Sequence, residues 1–124
     1  MIISIDDYSE IPIYQQIRDQ IVIGLSQGKL RPGEQLPTVR TLAAEIGINT
    51  MTVSKSYQLL KQEGYIVTDR RNGARIRSDF PDIRQFSEEN LLLLKKIASE
   101  AKLAGLSRED FLLECQKAYG GEEL

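Results

Sequence analysis

Hydrophobic positions along the chain change period several times, and each change marks an element. Ile13, Ile17, Ile21 and Leu25 recur at fourfold spacing with Val22 beside them, the core stripe of an amphipathic helix. Pro12 suits the first turn of that helix, where a missing N–H costs nothing, and Gly28 ends it. Ahead of it Ile2, Ile3 and Ile5 form an extended lead. The stretch "KLRPGEQLPT" is broken by Pro32-Gly33 and Pro37, so it reads as a turn-rich connection whose Leu30 and Leu36 still reach the core. Thr38 then caps a short second helix carrying Val39, Leu42, Ala43 and Ile46, which Gly47 stops. A third helix follows at once. Ile48 enters it, Asn49 or Thr50 caps it, and Val53, Tyr57 and Leu60 repeat at helical spacing as far as Gly64.

Two helices meeting across a tight glycine turn satisfy the requirement of a helix-turn-helix. The next segment makes the assignment specific. Tyr65, Ile66 and Val67 have strand character, Asn72-Gly73 is a strong hairpin signal, and Ala74, Arg75, Ile76 and Arg77 form the return strand. A third helix running directly into a basic hairpin predicts a winged helix-turn-helix. "SDFPDIRQFS" interrupts the pattern as a linker. Ser87 with Glu88, Glu89 and Asn90 starts a helix whose Leu91 to Leu94, Ile97, Ala98, Ala101 and Leu103 cover more than half its circumference. After Gly105, Ser107 and Asp110 open a further amphipathic helix with Phe111, Leu112, Cys115, Ala118 and Tyr119. These two helices carry more apolar surface than they can bury between themselves. The expected fold is therefore α+β and mostly α: a winged helix-turn-helix over residues 1–78, a linker over 79–86 and a helical dimerisation tail over 87–124.

Net charge, −2 over 124 residues, is unremarkable in total but not in distribution. Residues 1–28 hold one Lys/Arg against four Asp/Glu, residues 29–84 ten against six, and residues 85–124 five against eight. A basic middle of about +4 fits contact with phosphates. Other chemistries find little support. The chain contains no histidine, the commonest metal ligand and general base, and no glycine-rich phosphate loop. The carboxylate pairs Asp6-Asp7, Glu88-Glu89 and Glu122-Glu123 fall in polar or terminal contexts, so neither an enzyme nor a cofactor or metal site is expected. Cys115 stands alone and forms no intrachain disulfide. No apolar run approaches the ~20 residues of a bilayer span, and Met1 to Glu10 lacks the features of a secretory signal. A cytoplasmic protein without membrane contact is the expectation.

Three blocks, "IPIYQQIRDQI", "LRPGEQLPTVRTLAAEIGINTMTVSKSYQLLKQEGYI" and "RRNGARI", resemble the DNA-binding domain of GntR-type bacterial transcription regulators in unbroken order from about Pro12 to Arg77. "GEQLPTVRTLA" is the most diagnostic piece. The short two-helix tail is similar to that of the YtrA subfamily. This resemblance implies a homodimeric repressor on a pseudo-palindromic double-stranded DNA operator, regulating its own operon and an ABC transporter operon, with an unidentified small-molecule effector as a candidate partner. Two departures stand out. Asn49-Thr50-Met51-Thr52-Val53 replaces the N-P-N-T-V common in the subfamily, with Ser54 where many relatives have arginine. A single Gly73 stands where relatives often have G-x-G.

Helix geometry places Met51, Lys55, Gln58 and Gln62 opposite the apolar stripe of the third helix, with Thr52 and Ser54 flanking. A recognition helix reads the major groove with its N-terminal residues, which selects Asn49, Thr50, Met51, Thr52, Ser54 and Lys55. Lys55 can donate to guanine or to a phosphate, Thr52 to a phosphate, and Met51 can meet a thymine methyl. Arg40 matches the family's DNA-contacting arginine, against an alternative ion pair with Glu45 or Glu63. Thr38 is expected both to cap its helix and to face a phosphate. Arg70, Arg71 and Gly73 occupy the wing tip, where arginine suits a narrow minor groove, and Arg75 and Arg77 are evenly balanced between DNA and structure. Leu91, Leu92, Leu94, Ile97, Ala98, Phe111 and Leu112 are the expected dimerisation surface. A protein-interaction winged helix and an RNA-binding module are the competing functions.

Overall fold

In the computed structural model, which describes residues 2–71, 73–81 and 83–120, seven elements follow one another. Asn72 of the Asn72-Gly73 turn signal and the Glu122-Glu123 pair lie outside the described residues. Contacts divide the chain into two units, Met1–Phe80 and Pro81–Leu124.

The first unit begins with α1 (Ile13–Ser26). Pro12 stands one position earlier than the sequence suggests. It is the N-cap rather than part of the first turn, and its carbonyl accepts from the Gln15 and Gln16 amides. Ile17 and Ile21 are fully buried, while Ile13, Val22 and Leu25 pack partly exposed around them. The preceding lead forms no strand. Two glutamines one helical turn apart take the place of a neighbouring strand: Gln20 accepts from the Ser4 amide at 2.9 Å and donates to the Ser4 carbonyl. Gln16 accepts from the Asp6 amide at 2.9 Å and donates to the carbonyls of Asp6 and Ile11. With its backbone held along α1, the lead packs Ile3 and Ile5 against the core.

Helix α2 (Val39–Ile46) is opened by Thr38, whose side-chain oxygen accepts from the Thr41 amide, and closed by Gly47 at φ +69°. A side chain at Gly47 would strain that left-handed turn, which brings the Ile48 amide back to the Ala43 carbonyl at 3.0 Å. Helix α3 (Thr50–Gln62) starts after Asn49, whose Oδ1 accepts from the Met51 amide at 2.7 Å. Its Val53, Tyr57 and Leu60 join Leu42 and Ala43 of α2 in the core, and α3 packs on both α1 and α2. Strands β1 (Ile66–Asp69) and β2 (Gly73–Ile76) pair antiparallel with Ile66 opposite Ile76, both buried.

Two arrangements complete this unit. The loop read from sequence as a turn-rich connection also covers the free edge of β2. Gln35 bridges Arg75, the Leu36 amide donates to Ala74 at 2.9 Å and the Ile76 amide to Glu34 at 2.8 Å. Pro32 and Pro37 obscure so short a pairing. Across the unit, Arg18 of α1 grips Glu63 after α3 with two bonds, Nε–Oε1 at 2.8 Å and NH2–Oε2 at 3.1 Å, and lies over the Tyr65 ring. Hydrogen bonding to Glu63 raises the Arg18 pKa against the opposing effect of burial.

In the second unit α4 (Glu88–Leu103) and α5 (Arg108–Tyr119) are capped alike: Ser87 accepts from the Asn90 amide and Ser107 from the Asp110 amide. Acidic residues fill each first turn, with Lys102 and Lys117 in the last turns, which complements both helix dipoles. Neither helix buries a residue.

Candidate nucleic-acid interface

Packing leaves α3 with one face committed and the other open. Val53, Ser56, Tyr57 and Leu60 are buried. At 100° per residue the remaining positions fall into two flanks about a central line of Met51, Gln58 and Gln62. Ser54, Gln58 and Lys61 line a cleft of about 350 Å³ whose far side is built by Thr68, Gly73 and Ala74 of the hairpin. Its end is closed by Gln35, Thr38 and Val39 at the start of α2. Elements separated in sequence thus meet around one opening: the start of α2, the outer face of α3 and the wing.

Met51 is 78% exposed, so this thioether has no packing role within the chain. Thr50 and Lys55 are exposed, while Thr52 and Ser54 are half-buried. Lys55 leans to the other flank, its Nζ 4.1 Å from the centroid of the Tyr14 ring on α1. Asn49 is exposed, but its side-chain oxygen serves as the α3 cap, leaving its amide protons for other partners.

The Thr38 hydroxyl is engaged twice. It accepts from the Thr41 amide at 3.0 Å and donates to Thr41 Oγ1 at 2.9 Å. Both contacts lie within the first turn of α2, so the expected cap is present. Arg40 is exposed one residue into α2. Among the described residues it has no ion-pair partner, neither Glu45 nor Glu63, the latter pairing with Arg18. Tyr57 donates from its hydroxyl to the Pro37 carbonyl at 2.7 Å and so fixes the approach to α2 against α3. Burial, and secondarily the charge of Glu45, pushes that hydroxyl above the ordinary phenol range, which preserves it as a donor.

Wing arginines divide sharply. Arg70 and Arg71 are exposed beyond β1, the Arg71 amide donating to Asp69 Oδ1 at 2.9 Å. Arg75 is half-buried and pairs with Asp69 at 3.6 Å, and Arg77 donates to the Gly64 carbonyl at 3.2 Å while stacking over Phe80. Gly73, at φ +68°, is exposed, with open space where a Cβ would stand. Sequence reasoning missed Gln35, Lys61 and Thr68 as cleft residues and Tyr14 as a neighbour of Lys55. Lys61 repeats the face of Ser54 and Gln58, so helical period alone could have found it. Nothing local marks Tyr14.

In the second unit Leu91, Leu92, Leu94, Ile97 and Leu112 are exposed, whereas Ala98 and Phe111 are half-buried. Leu93, Leu103, Leu106, Leu113 and Tyr119 add further exposed apolar surface. Among the described residues no helix is long and apolar enough to cross a membrane, and no cluster of metal-ligating side chains occurs.

The family described as "Bacterial regulatory proteins, gntR family" matches residues 13–76. The HTH-type transcriptional repressor YtrA of Bacillus subtilis (strain 168) is 37% identical over 109 residues, which are 86% of this chain and 84% of that protein. Among solved structures, a transcriptional antiterminator from Listeria monocytogenes EGD-e superposes with a TM-score of 0.82 at 29% identity, covering 100% of this chain and 97% of that one. YtrA from Sulfolobus acidocaldarius, a GntR-family transcription factor, gives 0.59 at 34% identity over 91% and 92%. AraR(DBD) in complex with operator ORX1 gives 0.52 at 25% identity, covering 59% of this chain and 90% of that one.

Proposed function

This chain belongs to the GntR family of bacterial regulatory proteins and is YtrA-like, a transcription regulator and not an enzyme; on that premise we propose that it is a cytoplasmic homodimeric repressor that binds a pseudo-palindromic operator. The observation that carries the reading is that the start of α2, the outer face of α3 and the wing meet at one cleft, while Arg40, Met51, Arg70 and Arg71, on or beside those same elements, are exposed. Residues 1–78 form the DNA-binding module, 79–86 the linker and 87–124 the dimerising tail. Thr50, Met51, Thr52 and Ser54 present small or apolar groups to the major groove, where close approach of the helix allows contact with base edges and thymine methyls. Asn49 contributes its free amide protons. Arg40, at the start of α2, takes a phosphate or a guanine edge. Arg70, Arg71 and Gly73 enter the adjacent minor groove. Thr38 supports the site through the α2 N-terminus, since its hydroxyl is already bonded.

Support for dimerisation comes from exposed Leu91, Leu92, Leu94, Ile97 and Leu112 on helices that bury nothing. Two recognition helices in such a dimer must lie about one DNA turn, roughly 34 Å, apart or a multiple of it. The operator complex of AraR(DBD), a structural relative, supports double-stranded DNA as the ligand.

Fluorescence anisotropy on the duplex upstream of its own gene tests the reading. Affinity is expected to fall linearly on a log–log plot against salt, as counterions are released from contacted phosphates. Binding that ignores salt, or none across a library of genomic fragments, overturns it. A structured-RNA arm belongs in the same titration, because one structural relative is described as an antiterminator. Tighter binding to RNA than to duplex replaces the DNA reading with an RNA one.

A further inference from the structure

Lys55 is the one cation in the N-terminal half of α3, and it sits over the Tyr14 ring of α1. A ring face attracts an ammonium through its quadrupole. Lys55 Nζ is 4.1 Å from the Tyr14 centroid, which draws the side chain to the α1 flank of α3. The wing flank of the helix is lined instead by Ser54, Gln58 and Lys61. Tyr14 is half-buried in the first turn of α1, and α1 packs on α3, so the platform is fixed by the core rather than by a surface loop.

We propose that Tyr14 is a positioning residue for operator recognition: it holds Lys55 to the α1 flank as a phosphate contact and leaves base reading to Thr50, Met51, Thr52 and Ser54. The inference rests on the DNA-binding reading above and adds the division of labour within it. An ammonium has three donors, and one seated on a ring keeps donors directed outward to a backbone oxygen. Reaching a base edge at the centre of the groove requires Lys55 to leave the ring. Phosphate contacts fix register and carry no direct sequence information, so Lys55 contributes affinity without discrimination.

The test uses the full chain and a randomised duplex library. The sequence selected by the wild type is then substituted one base pair at a time, and affinities are measured across salt. Lys55→Ala is expected to weaken every duplex by a similar factor and to lower the salt slope by about one, with the pattern of base preference unchanged. Tyr14→Phe, which keeps the ring, is expected to behave as the wild type. Tyr14→Leu releases Lys55 and is expected to alter the preference pattern, gaining guanine at one position, and Tyr14→Leu/Lys55→Ala is expected to lose that gain. A purely structural Tyr14 would move affinity and leave the pattern intact. Loss of discrimination confined to one base pair in Lys55→Ala overturns this inference alone, and so does an unchanged pattern in a folded Tyr14→Leu protein. The Lys55→Ala arm alters an exposed residue, so it can overturn the inference even if Tyr14→Leu fails to fold, in which case Tyr14→Gln supplies the ring-free variant. Absence of duplex binding by the wild type overturns this inference and the DNA-binding reading together.

Discussion

Residues 2–80 and 83–120 are both built largely of helices, yet they treat their apolar residues in opposite ways. The first region buries Ile17, Leu42, Val53, Leu60 and their neighbours around one centre, together with the inner residues of the wing. The second buries none, although Leu92 is 68% exposed and Ile97 55%. Helices of 16 and 12 residues are marginal in water on propensity and caps alone. The first region thus has the means to fold alone, whereas the second leaves apolar surface that its own two helices do not bury, which is the surface the proposed dimer would use.

Removing residues 86–124 separates the two most drastically. The remaining fragment is expected to keep its helical signal and a cooperative melt but to sediment as a monomer. Loss of the second half-site should weaken operator binding by roughly 10²- to 10⁴-fold, the usual gain from linking two sites. A fragment that remains dimeric by analytical ultracentrifugation breaks the comparison, because the covering surface would then lie elsewhere.

Single apolar truncations sharpen it. Leu42→Ala empties a fully buried site and is expected to cost about 2–5 kcal/mol of unfolding free energy in urea titrations. Leu92→Ala removes the same atoms from an exposed site. Its effect should appear as a concentration-dependent shift in melting temperature and a weaker dimer, because dimerisation couples stability to protomer concentration. Equal effects at a single protein concentration, with no dependence on dilution, would show that Leu92 is not at an interface between copies.

Charge provides the next contrast. Arg40→Ala is expected to weaken operator binding by about 1–3 kcal/mol while leaving the melting curve in place, since Arg40 has no ion-pair partner among the described residues. Arg18→Ala should do the reverse. Its two bonds to Glu63 and its place over Tyr65 join α1 to the end of α3, so the loss falls on stability first.

These contrasts also mark how far the amino-acid pattern reaches. The stripes of α1, α2 and α3 and the caps Thr38, Ser87 and Ser107 are legible because each depends on residues within a turn or two of one another, while the choice of Asn49 over Thr50 as the α3 cap came from the structure. The winged helix-turn-helix followed from their order. Arg18–Glu63 spans 45 positions and Ser4–Gln20 spans 16, and no local period encodes such contacts. The edge pairing of Gln35 with Arg75 was hidden between prolines. At the site, the outward face of α3 could be read from the helical period. The lean of Lys55 toward Tyr14 and the internal engagement of Arg75 and Arg77 depend on tertiary neighbours.

The smallest expected effect compares two caps of identical chemistry in the two regions. Thr38 and Ser107 each accept from a backbone amide three residues ahead, at 3.0 and 3.1 Å, and either alanine variant should cost about 1 kcal/mol of stability. Their consequences for DNA should differ. Thr38→Ala frays the first turn of α2, which carries Arg40 and closes one end of the cleft, so operator affinity should fall a few-fold even well below the melting temperature. Ser107→Ala frays α5, and any loss of affinity should disappear at protein concentrations that saturate the dimer. If raising protein concentration rescues Thr38→Ala just as well, the start of α2 is only a structural support, and Arg40 rather than the helix terminus carries that side of the interface.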